Sequence, residues 1–161
     1  MIVSTKGKYA VRVMVELALQ DSNVYIPLRK IAESQDISLK YLEAIVHMLM
    51  KNNFIEGTRG RGGGYRLNRA PEGYTLWDIL ECTEESLDPV SCVGDHNACT
   101  KSSQCYSFPI WKGLQAITKA YFESFTLADI VQQTYTDVGL ETWLQTMKPT
   151  NGYIAISHKE K

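Results

Sequence analysis

The stretch RGRGGGYR, residues 59–66, limits the possible folds more than any other part of the chain. It holds four glycines and joins two short segments of strand-like composition, residues 54–58 and 64–67, the second of which it overlaps. Because glycine has no side chain, the backbone there can turn tightly and approach another surface closely. No Lys-Ser or Lys-Thr pair follows the glycines and no helix pattern begins there, which argues against a nucleotide phosphate loop. The stretch therefore predicts a β-hairpin with a thin, basic tip.

Two amphipathic helices are predicted immediately before this hairpin. Residues 28–35 carry apolar side chains at i, i+3 and i+4, and residues 39–51 carry a longer apolar stripe. The stripe consists of Leu39, Leu42, Ile45, Val46 and Leu49. Residues 36–38 form the turn between the helices, where Ser38 can cap the second one. The pattern predicts a helix-turn-helix at about 28–51, and the hairpin at 54–69 makes it a winged helix.

Residue types that commonly begin helices mark four further helix starts. They are Ser4, Thr75, Pro109 and Thr126. The second of these helices is predicted over residues 76–85, and the third and longest over residues 110–125. The last follows a capping-box pattern, and residues beyond about 133 have no assigned structure. The predicted fold class is mainly α with one small β-hairpin wing.

Composition and charge narrow the function classes. Of the 161 residues, 44% are hydrophobic and 22% are charged, which is ordinary for a globular protein. Residues 1–70 carry 11 Lys and Arg against 6 Asp and Glu, whereas residues 71–161 carry 6 against 12. A basic N-terminal half suits a polyanionic partner. No apolar run approaches the roughly 20 residues of a membrane span, and the first residues lack the apolar core of a signal peptide. We therefore expect a cytoplasmic protein with no membrane partner.

Polar and basic side chains of the predicted winged helix form a candidate DNA-binding set. Arg59 and Arg61 project from the hairpin tip, as insertion into a minor groove or a clamp on phosphates requires. On the outward face of the second helix, Glu43 can accept a hydrogen bond from cytosine N4, although an ordinary exposed glutamate fits equally well. The complete set is Ser4, Arg29, Ser38, Lys40, Tyr41, Glu43, Arg59 and Arg61. A solvated hairpin with incidental charge is the alternative interpretation of the tip.

Four segments together resemble the IscR/NsrR/CymR family of winged-helix transcription regulators. They are STKGKYAVRVMVELA, ISLKYLEAIVHML, RGRGGGYRL and a loop with three cysteines, in the same order and nearly without gaps over about residues 1–132. The resemblance implies a repressor that binds a partly palindromic double-stranded DNA operator as a homodimer. It implies further that the target genes serve cluster biogenesis, sulfur metabolism or the response to redox and nitric-oxide stress.

The resemblance also divides the chain by function. Residues 1–82 form the winged helix-turn-helix DNA-binding domain, 83–109 the cysteine loop, 110–133 the dimerisation and C-terminal helices, and 134–161 a tail of unknown structure. The long helix matches the one through which such regulators dimerise. Its expected contact residues are Trp111, Leu114, Tyr121 and Phe125. The alternative is that this stripe packs on its own domain.

Three of the four cysteines lie in one polar loop, CVGDHNACTKSSQC, residues 92–105. Three thiolates within so short a stretch can converge on one soft metal centre. By resemblance, Cys92, Cys99 and Cys105 match the protein ligands of an iron–sulfur cluster. A 2Fe–2S cluster, as in IscR-like members, is favoured over the 4Fe–4S cluster of NsrR-like members.

The fourth cluster ligand departs from the family's patterns. Phe108 occupies the position where IscR-type members have a histidine, and Lys8 stands where NsrR-like members have an aspartate. His96 lies inside the cysteine loop and could complete a set of three cysteines and one histidine, for a cluster or for zinc. An exogenous thiol, a water or a residue of a second subunit could equally serve. The sequence leaves this ligand open.

Other interpretations of the cysteine loop stay open as well. Structural zinc sites prefer closely spaced cysteine pairs, which the chain lacks. The thiols could sense oxidants without a metal, or the protein could be a cluster-free, CymR-like regulator controlled by a partner enzyme of cysteine synthesis. Cys82 is expected to be a small buried residue rather than a ligand. We do not expect an enzyme, because a cysteine nucleophile needs a positioned base and no histidine lies in such a motif.

Overall fold

The computed structural model of the chain describes residues 3–94, 99–101 and 104–133. In chain order the elements are α1 (Thr5–Ala18), α2 (Leu28–Gln35), α3 (Leu39–Lys51), β1 (Ile55–Thr58), β2 (Gly64–Leu67), a 3-10 turn (Pro71–Gly73), α4 (Leu76–Glu81), α5 (Ser91–Gly94), α6 (Phe108–Glu123) and α7 (Leu127–Gln132). A mainly helical chain with one two-stranded antiparallel hairpin confirms the predicted winged-helix fold. None of the helices in these ranges is long and apolar enough to cross a membrane. The predicted tail, 134–161, lies outside the described residues.

One hydrophobic core joins α1, α2, α3, the hairpin and α7. Its fully buried members include Ala10, Val13, Met14, Ile31, Leu42, Ile45, Leu49, Tyr74, Ile79 and Leu127. The predicted stripe on α3 is confirmed with one correction, because Leu39 is 40% exposed. Leu39 is the first residue of α3, so its side chain lies at the end of the helix rather than over the core.

Side-chain caps begin four helices where the sequence predicts them, with Ser4 at the start of α1. The Ser38 hydroxyl accepts a hydrogen bond from the backbone N–H three residues further on, at 3.4 Å. Thr75 with Asp78, and Thr126 with Asp129, form capping boxes at the starts of α4 and α7. Each box satisfies backbone N–H groups that have no partner inside the helix.

The boundaries of α4 and α6 differ from the predicted ones. α4 ends at Glu81 instead of continuing to about residue 85. Beyond it, the buried Thr83 hydroxyl bonds to the carbonyl oxygens of Ile79 and Leu80, at 3.1 Å each. Such local side-chain bonds compete with continuation of a helix. α6 begins two residues earlier than predicted, with a proline in its first turn.

The hairpin forms a short wing after α3. Ile55 lies opposite Leu67, and the two strands close on a tip in which Gly60 and Gly62 have φ angles of +98° and +82°. Residues with a side chain rarely adopt these angles, which explains the glycines. The wing is therefore a tight turn with its arginines carried at the end.

Tyr74 fastens the base of the wing. Its fully buried hydroxyl donates to the carbonyl oxygen of Phe54 at 2.8 Å and accepts from the N–H groups of Asn68 and Arg69, at 3.1 and 2.9 Å. The Arg69 guanidinium lies 4.3 Å from the centre of the Tyr74 ring. Burial raises the pKa of Tyr74, so its hydroxyl stays protonated and keeps donating.

After α6 the chain returns to the winged helix. The N–H of Leu76 donates to the carbonyl oxygen of Phe125, and the N–H of Leu127 donates to that of Tyr74, both at 2.8 Å. Leu127 is then fully buried in the core. The segment that follows α6 is thus hydrogen-bonded to Tyr74, the residue that fastens the wing.

Candidate nucleic-acid interface and cysteine loop

The outward face of α3 presents polar side chains to solvent. Lys40, Tyr41 and Glu43 are exposed, while Leu42 and Ile45 on the opposite side are buried. Arg29 and Ser38, at the exposed sides of α2 and of the turn before α3, belong to the same surface, which we call the reading face. The reading face therefore contains every predicted DNA-binding residue of the helix-turn-helix.

The tip of the wing carries exposed positive charge. Arg59 and Arg61 are exposed beyond the end of β1. At the base, Glu56 accepts hydrogen bonds from the Tyr25 hydroxyl at 2.9 Å and from Nε of Arg66 at 2.6 Å. The hydrogen bonds from Arg66 and Tyr25 lower the pKa of Glu56. Arg66 is therefore held at the base, and the charge at the tip belongs to Arg59 and Arg61.

Sequence reasoning missed the contact among Tyr25, Glu56 and Arg66. The predicted strand limits place residues 56 and 66 opposite each other, and an opposite-charge pair across two strands is a usable signal. Tyr25 gave no such signal, because it lies 31 residues before Glu56.

Ser4 differs from the rest of the predicted DNA-binding set. Its backbone N–H and its hydroxyl both donate to Oε1 of Glu84, at 3.0 and 2.8 Å. The hydroxyl also accepts from the N–H of Gly7 at 3.2 Å, and a Cβ on Gly7 would collide with the same carboxylate. Negative charge at a helix N-terminus is stabilising. Ser4 thus links the start of α1 to the segment after α4. Its hydroxyl proton is already engaged in the hydrogen bond to Glu84.

The three cysteines of the loop are half-buried free thiols. Cys92 lies in α5, and Cys105 lies three residues before the start of α6, with its carbonyl oxygen accepting from the N–H of Phe108 at 3.2 Å. The Cys105 Sγ lies 3.2 Å from the hydroxyl oxygen of Ser107, and this hydrogen bond lowers the pKa of Cys105. A lowered pKa favours the thiolate, which is the form that binds metals.

Cys82 has a different environment from the loop cysteines. Its Sγ donates to the carbonyl oxygen of Ile79 at 3.3 Å, and the side chain packs against the main core. Burial, with the nearby charges of Asp78 and Glu81, raises the pKa of Cys82 to about 12. A thiol with this pKa stays protonated, as expected of a structural cysteine.

The donor chemistry of the cysteine loop fits a soft metal centre, because three unpaired thiols lie close along the chain. Within residues 3–94, 99–101 and 104–133, no three Cys, His, Asp or Glu side chains come together as a metal site. His96, the candidate for the fourth ligand, lies outside the described residues. The structure thus supplies suitable thiols but does not bring them together.

Asp88 connects the start of the cysteine loop to α6. Its carboxylate accepts hydrogen bonds from the Ser86 hydroxyl, at 2.7 Å, and from the side-chain amide of Gln115 in α6. A Cβ on Gly94 would collide with the same carboxylate, so α5 approaches it closely. The Asp88 carboxylate thus bonds to α6 and lies close to α5, the short helix that carries Cys92.

α6 leaves a row of large apolar side chains uncovered, and none of its residues is buried. Ile110, Trp111, Leu114 and Ile117 are 37–66% exposed. The other two predicted dimer-contact residues, Tyr121 and Phe125, are half-buried and pack edge-on, with ring centres 5.0 Å apart. The first half of the predicted stripe is thus open to solvent, whereas the second half lies nearer the winged helix.

Comparison with known families identifies the family to which this chain belongs. The family model of Rrf2, described as an iron-dependent transcriptional regulator, matches residues 3–133. The chain belongs to the Rrf2 family. As the sequence predicts, this Rrf2 member is a DNA-binding transcription regulator rather than an enzyme.

Two curated relatives and two solved structures illustrate the similarity of this Rrf2 protein to others. The regulator IscR of Cronobacter sakazakii is 31% identical over 160 residues, 99% of this chain and 98% of the relative. IscR of Erwinia tasmaniensis is 34% identical over 131 residues, 81% of this chain and 79% of the relative. Among solved structures, IscR of T. potens has a TM-score of 0.64 and 30% identity, covering 84% of this chain and 89% of that one. CymR, the global cysteine regulator of B. subtilis, has a TM-score of 0.63 and 29% identity, covering 85% and 99%.

Proposed function

We propose that this Rrf2 regulator is a repressor with an iron–sulfur cluster on Cys92, Cys99 and Cys105, and that the cluster controls binding of a homodimer to a partly palindromic operator. The observation that carries the proposal is the position of Cys105. Cys105 lies three residues before the start of α6, and the segment that follows α6 is hydrogen-bonded to Tyr74, the residue that fastens the wing. A change at the thiols therefore has a physical route to the DNA-binding surface.

The cluster would supply a soft, redox-active centre that small oxidants can attack. The three thiolates would hold it, and we favour a 2Fe–2S cluster because the sequence resembles IscR-type members along nearly its whole length. The fourth ligand stays open, with His96 as a candidate. The hydrogen bond between Cys105 and Ser107 favours the thiolate that binding needs.

The route from the loop to the wing consists of hydrogen-bonded steps. Cys105 is bonded to the first turn of α6, and Asp88, which lies close to α5, is bonded to the same helix. At the far end of α6, backbone bonds pair Phe125 and Leu127 with Leu76 and Tyr74. The Tyr74 hydroxyl then holds the wing base. A shift of α6 would therefore move the base of the wing, and with it the arginines at the wing tip.

The exposed apolar half of α6 supports dimerisation. A long helix that leaves Ile110, Trp111, Leu114 and Ile117 in solvent is stabilised when a second copy covers them. Two copies present two reading faces at a fixed separation, and that separation is what a palindromic site measures. Tyr121 and Phe125 would then lie where the dimer contact meets the winged helix. We propose Arg29, Ser38, Lys40, Tyr41, Glu43, Arg59 and Arg61 as the DNA contacts, without Ser4.

Anaerobic purification of the full-length chain tests the cluster. We expect a coloured protein with about two iron atoms and about two acid-labile sulfides per chain, the content of a 2Fe–2S cluster. Replacing Cys92, Cys99 or Cys105 with alanine should bleach it while the circular dichroism of the fold persists. Cys82→Ser is the matched control and should keep the full spectrum. Three loop variants that all retain the iron content of the unmodified protein would contradict the proposal.

A cluster-free regulator, controlled by thiol oxidation or by a partner protein, is the second candidate. It is favoured by the CymR structures, which match this chain as well as an IscR structure does. It predicts a colourless protein whose DNA binding changes with mild peroxide and recovers with dithiothreitol, and in which Cys105→Ser abolishes the change. Zinc in place of iron would indicate a zinc-binding regulator instead. The cytoplasmic location stays a prediction in every case.

A further inference from the structure

α1 presses an aromatic ring against the recognition helix α3. The rings of Tyr9 and Tyr41 meet edge-on, with centres 5.9 Å apart and planes at 79°. Tyr41 belongs to the reading face and is 37% exposed, whereas Tyr9 is half-buried against the core. The backbone N–H of Tyr41 is also bonded by the Ser38 cap. The Tyr41 ring is therefore oriented by a neighbour outside the helix-turn-helix.

Tyr9 is in turn held by cations of its own helix. The Arg12 guanidinium lies 5.3 Å from the centre of the Tyr9 ring, and the Lys8 ammonium lies 5.7 Å from it. Aromatic faces attract such cations at these distances. The ring of Tyr9 is thus in contact with two cations of α1 and with the ring of Tyr41.

Arg12 extends this contact to the other helix of the pair. Its Nε donates to Oε1 of Gln35 at 2.7 Å, and its Nη2 donates to the carbonyl oxygen of Gln35 at 3.0 Å. Gln35 is the last residue of α2, and its amide donates to Glu16 at 2.7 Å. These bonds turn the Arg12 guanidinium toward α2. A continuous set of contacts therefore runs from the reading face through Tyr9 to the end of α2.

We propose that Tyr9 is a positioning residue for DNA recognition, which sets the direction in which the Tyr41 side chain meets the operator. The inference rests on the proposed role of Tyr41 as a DNA contact. A side chain whose ring is already oriented loses less freedom on binding, and it favours only sequences that match that orientation. Tyr9 would therefore affect the sequence specificity of DNA binding more than the nonspecific affinity for phosphates.

A double-mutant cycle tests this inference with the full-length protein. The DNA probes are a duplex selected by the protein from a randomised library and an unselected duplex of equal length. The variants are Tyr9→Leu, Tyr41→Ala and the combination, with Tyr9→Phe as the matched control that keeps the ring. Tyr9→Met, which fills the same apolar space with a flexible chain, replaces the leucine variant if that variant does not fold.

We expect Tyr9→Leu to weaken binding to the selected duplex roughly 2- to 10-fold, the range of an edge-on aromatic pair. Binding to the unselected duplex and the salt dependence should hardly change, and Tyr9→Phe should behave as the unmodified protein. In the Tyr41→Ala background the leucine variant should have no further effect, because the side chain that it positions is gone.

Two outcomes would overturn the inference in distinguishable ways. Equal losses with and without Tyr41, or equal losses on both duplexes, would show that Tyr9 only stabilises the fold, and the proposed reading face would stand. If Tyr41→Ala itself leaves binding to the selected duplex unchanged, Tyr41 is not a contact and the inference fails together with that part of the reading face.

Discussion

The winged helix and the arm formed by the cysteine loop and α6 are stabilised in different ways. The winged helix has a core of fully buried side chains, and the hydroxyl of Tyr74 bonds to three backbone groups at its wing. In the arm, α5 has four residues, the loop thiols are half-buried and no residue of α6 is buried. One region thus completes its own packing, whereas the other leaves apolar and sulfur groups available. We infer that the arm is completed by a second copy and a cluster.

Charge placed on the exposed stripe of α6 gives the strongest test of the difference between the two regions. Leu114→Asp with Ile117→Asp should prevent dimerisation, because carboxylates would have to be buried in the contact between two copies. We expect a monomer by analytical ultracentrifugation and operator binding reduced roughly 10³-fold or more, toward nonspecific affinity. The winged helix should keep its circular dichroism, since neither side chain belongs to its core.

Lys112→Asp is the control for that experiment. Lys112 is exposed and lies two residues from Leu114, which places it on roughly the opposite side of the helix. It should leave the dimer intact despite the same added charge. A Leu114→Asp, Ile117→Asp protein that stays dimeric at micromolar concentration would show that the stripe serves another contact.

The winged helix should instead be sensitive to the loss of one buried hydroxyl. Tyr74→Phe leaves the N–H of Arg69 without this partner and removes a hydroxyl that also bonds to the carbonyl of Phe54 and the N–H of Asn68, which stay bonded to each other. We expect the free energy of unfolding to fall by about 1–3 kcal/mol in urea titrations. Tyr106→Phe removes the same group from a fully exposed ring and should change stability by no more than about 0.5 kcal/mol. Equal effects would mean that Tyr74 does not fasten the wing.

The same contrast explains how much could be predicted from the sequence. Local rules were enough for the winged helix, because caps such as Ser38 and the glycines of the wing act within a few residues. These local rules did not predict contacts between residues that lie far apart in the sequence. Glu84 binds Ser4 across 80 residues and Asp88 binds Gln115 across 27, and no spacing pattern announces either bond.

The residues of the candidate site show the same division between local features and contacts between distant parts of the sequence. The sequence predicted exposed side chains on the reading face, and the structure has them there. It also grouped Ser4 with these residues, since a serine before a helix does not reveal a carboxylate 80 residues away. The apolar stripe on α6 could be recognised from its helical periodicity. Periodicity alone, however, does not distinguish a helix face that packs against its own domain from one that is exposed to solvent. Only the fold separates Leu114 in solvent from half-buried Tyr121.

Removing the charges at the wing tip should affect DNA binding without affecting stability. Arg59→Ala with Arg61→Ala should weaken operator binding and lower the slope of affinity against salt by about 1 for each phosphate that is no longer neutralised. Both side chains are exposed, so the free energy of unfolding should change by no more than about 0.5 kcal/mol. Lys112→Ala removes an exposed charge from the arm and should leave the slope unchanged. An unchanged slope in the double variant would exclude the tip from the interface.

The smallest expected effect concerns Glu43, the single acidic member of the reading face. If its carboxylate accepts a hydrogen bond from cytosine N4, Glu43→Ala should reduce discrimination at one base pair by about 1 kcal/mol, the low end for a base contact. General affinity should rise slightly, because a charge that repels phosphates is removed. Glu33→Ala removes an equally exposed carboxylate from the neighbouring helix α2 and should raise affinity without changing the order of preference. Competition binding with operators changed at single positions distinguishes the two variants. If both leave the order of preference identical, Glu43 is a solvated side chain, and base discrimination by the reading face comes from its other residues.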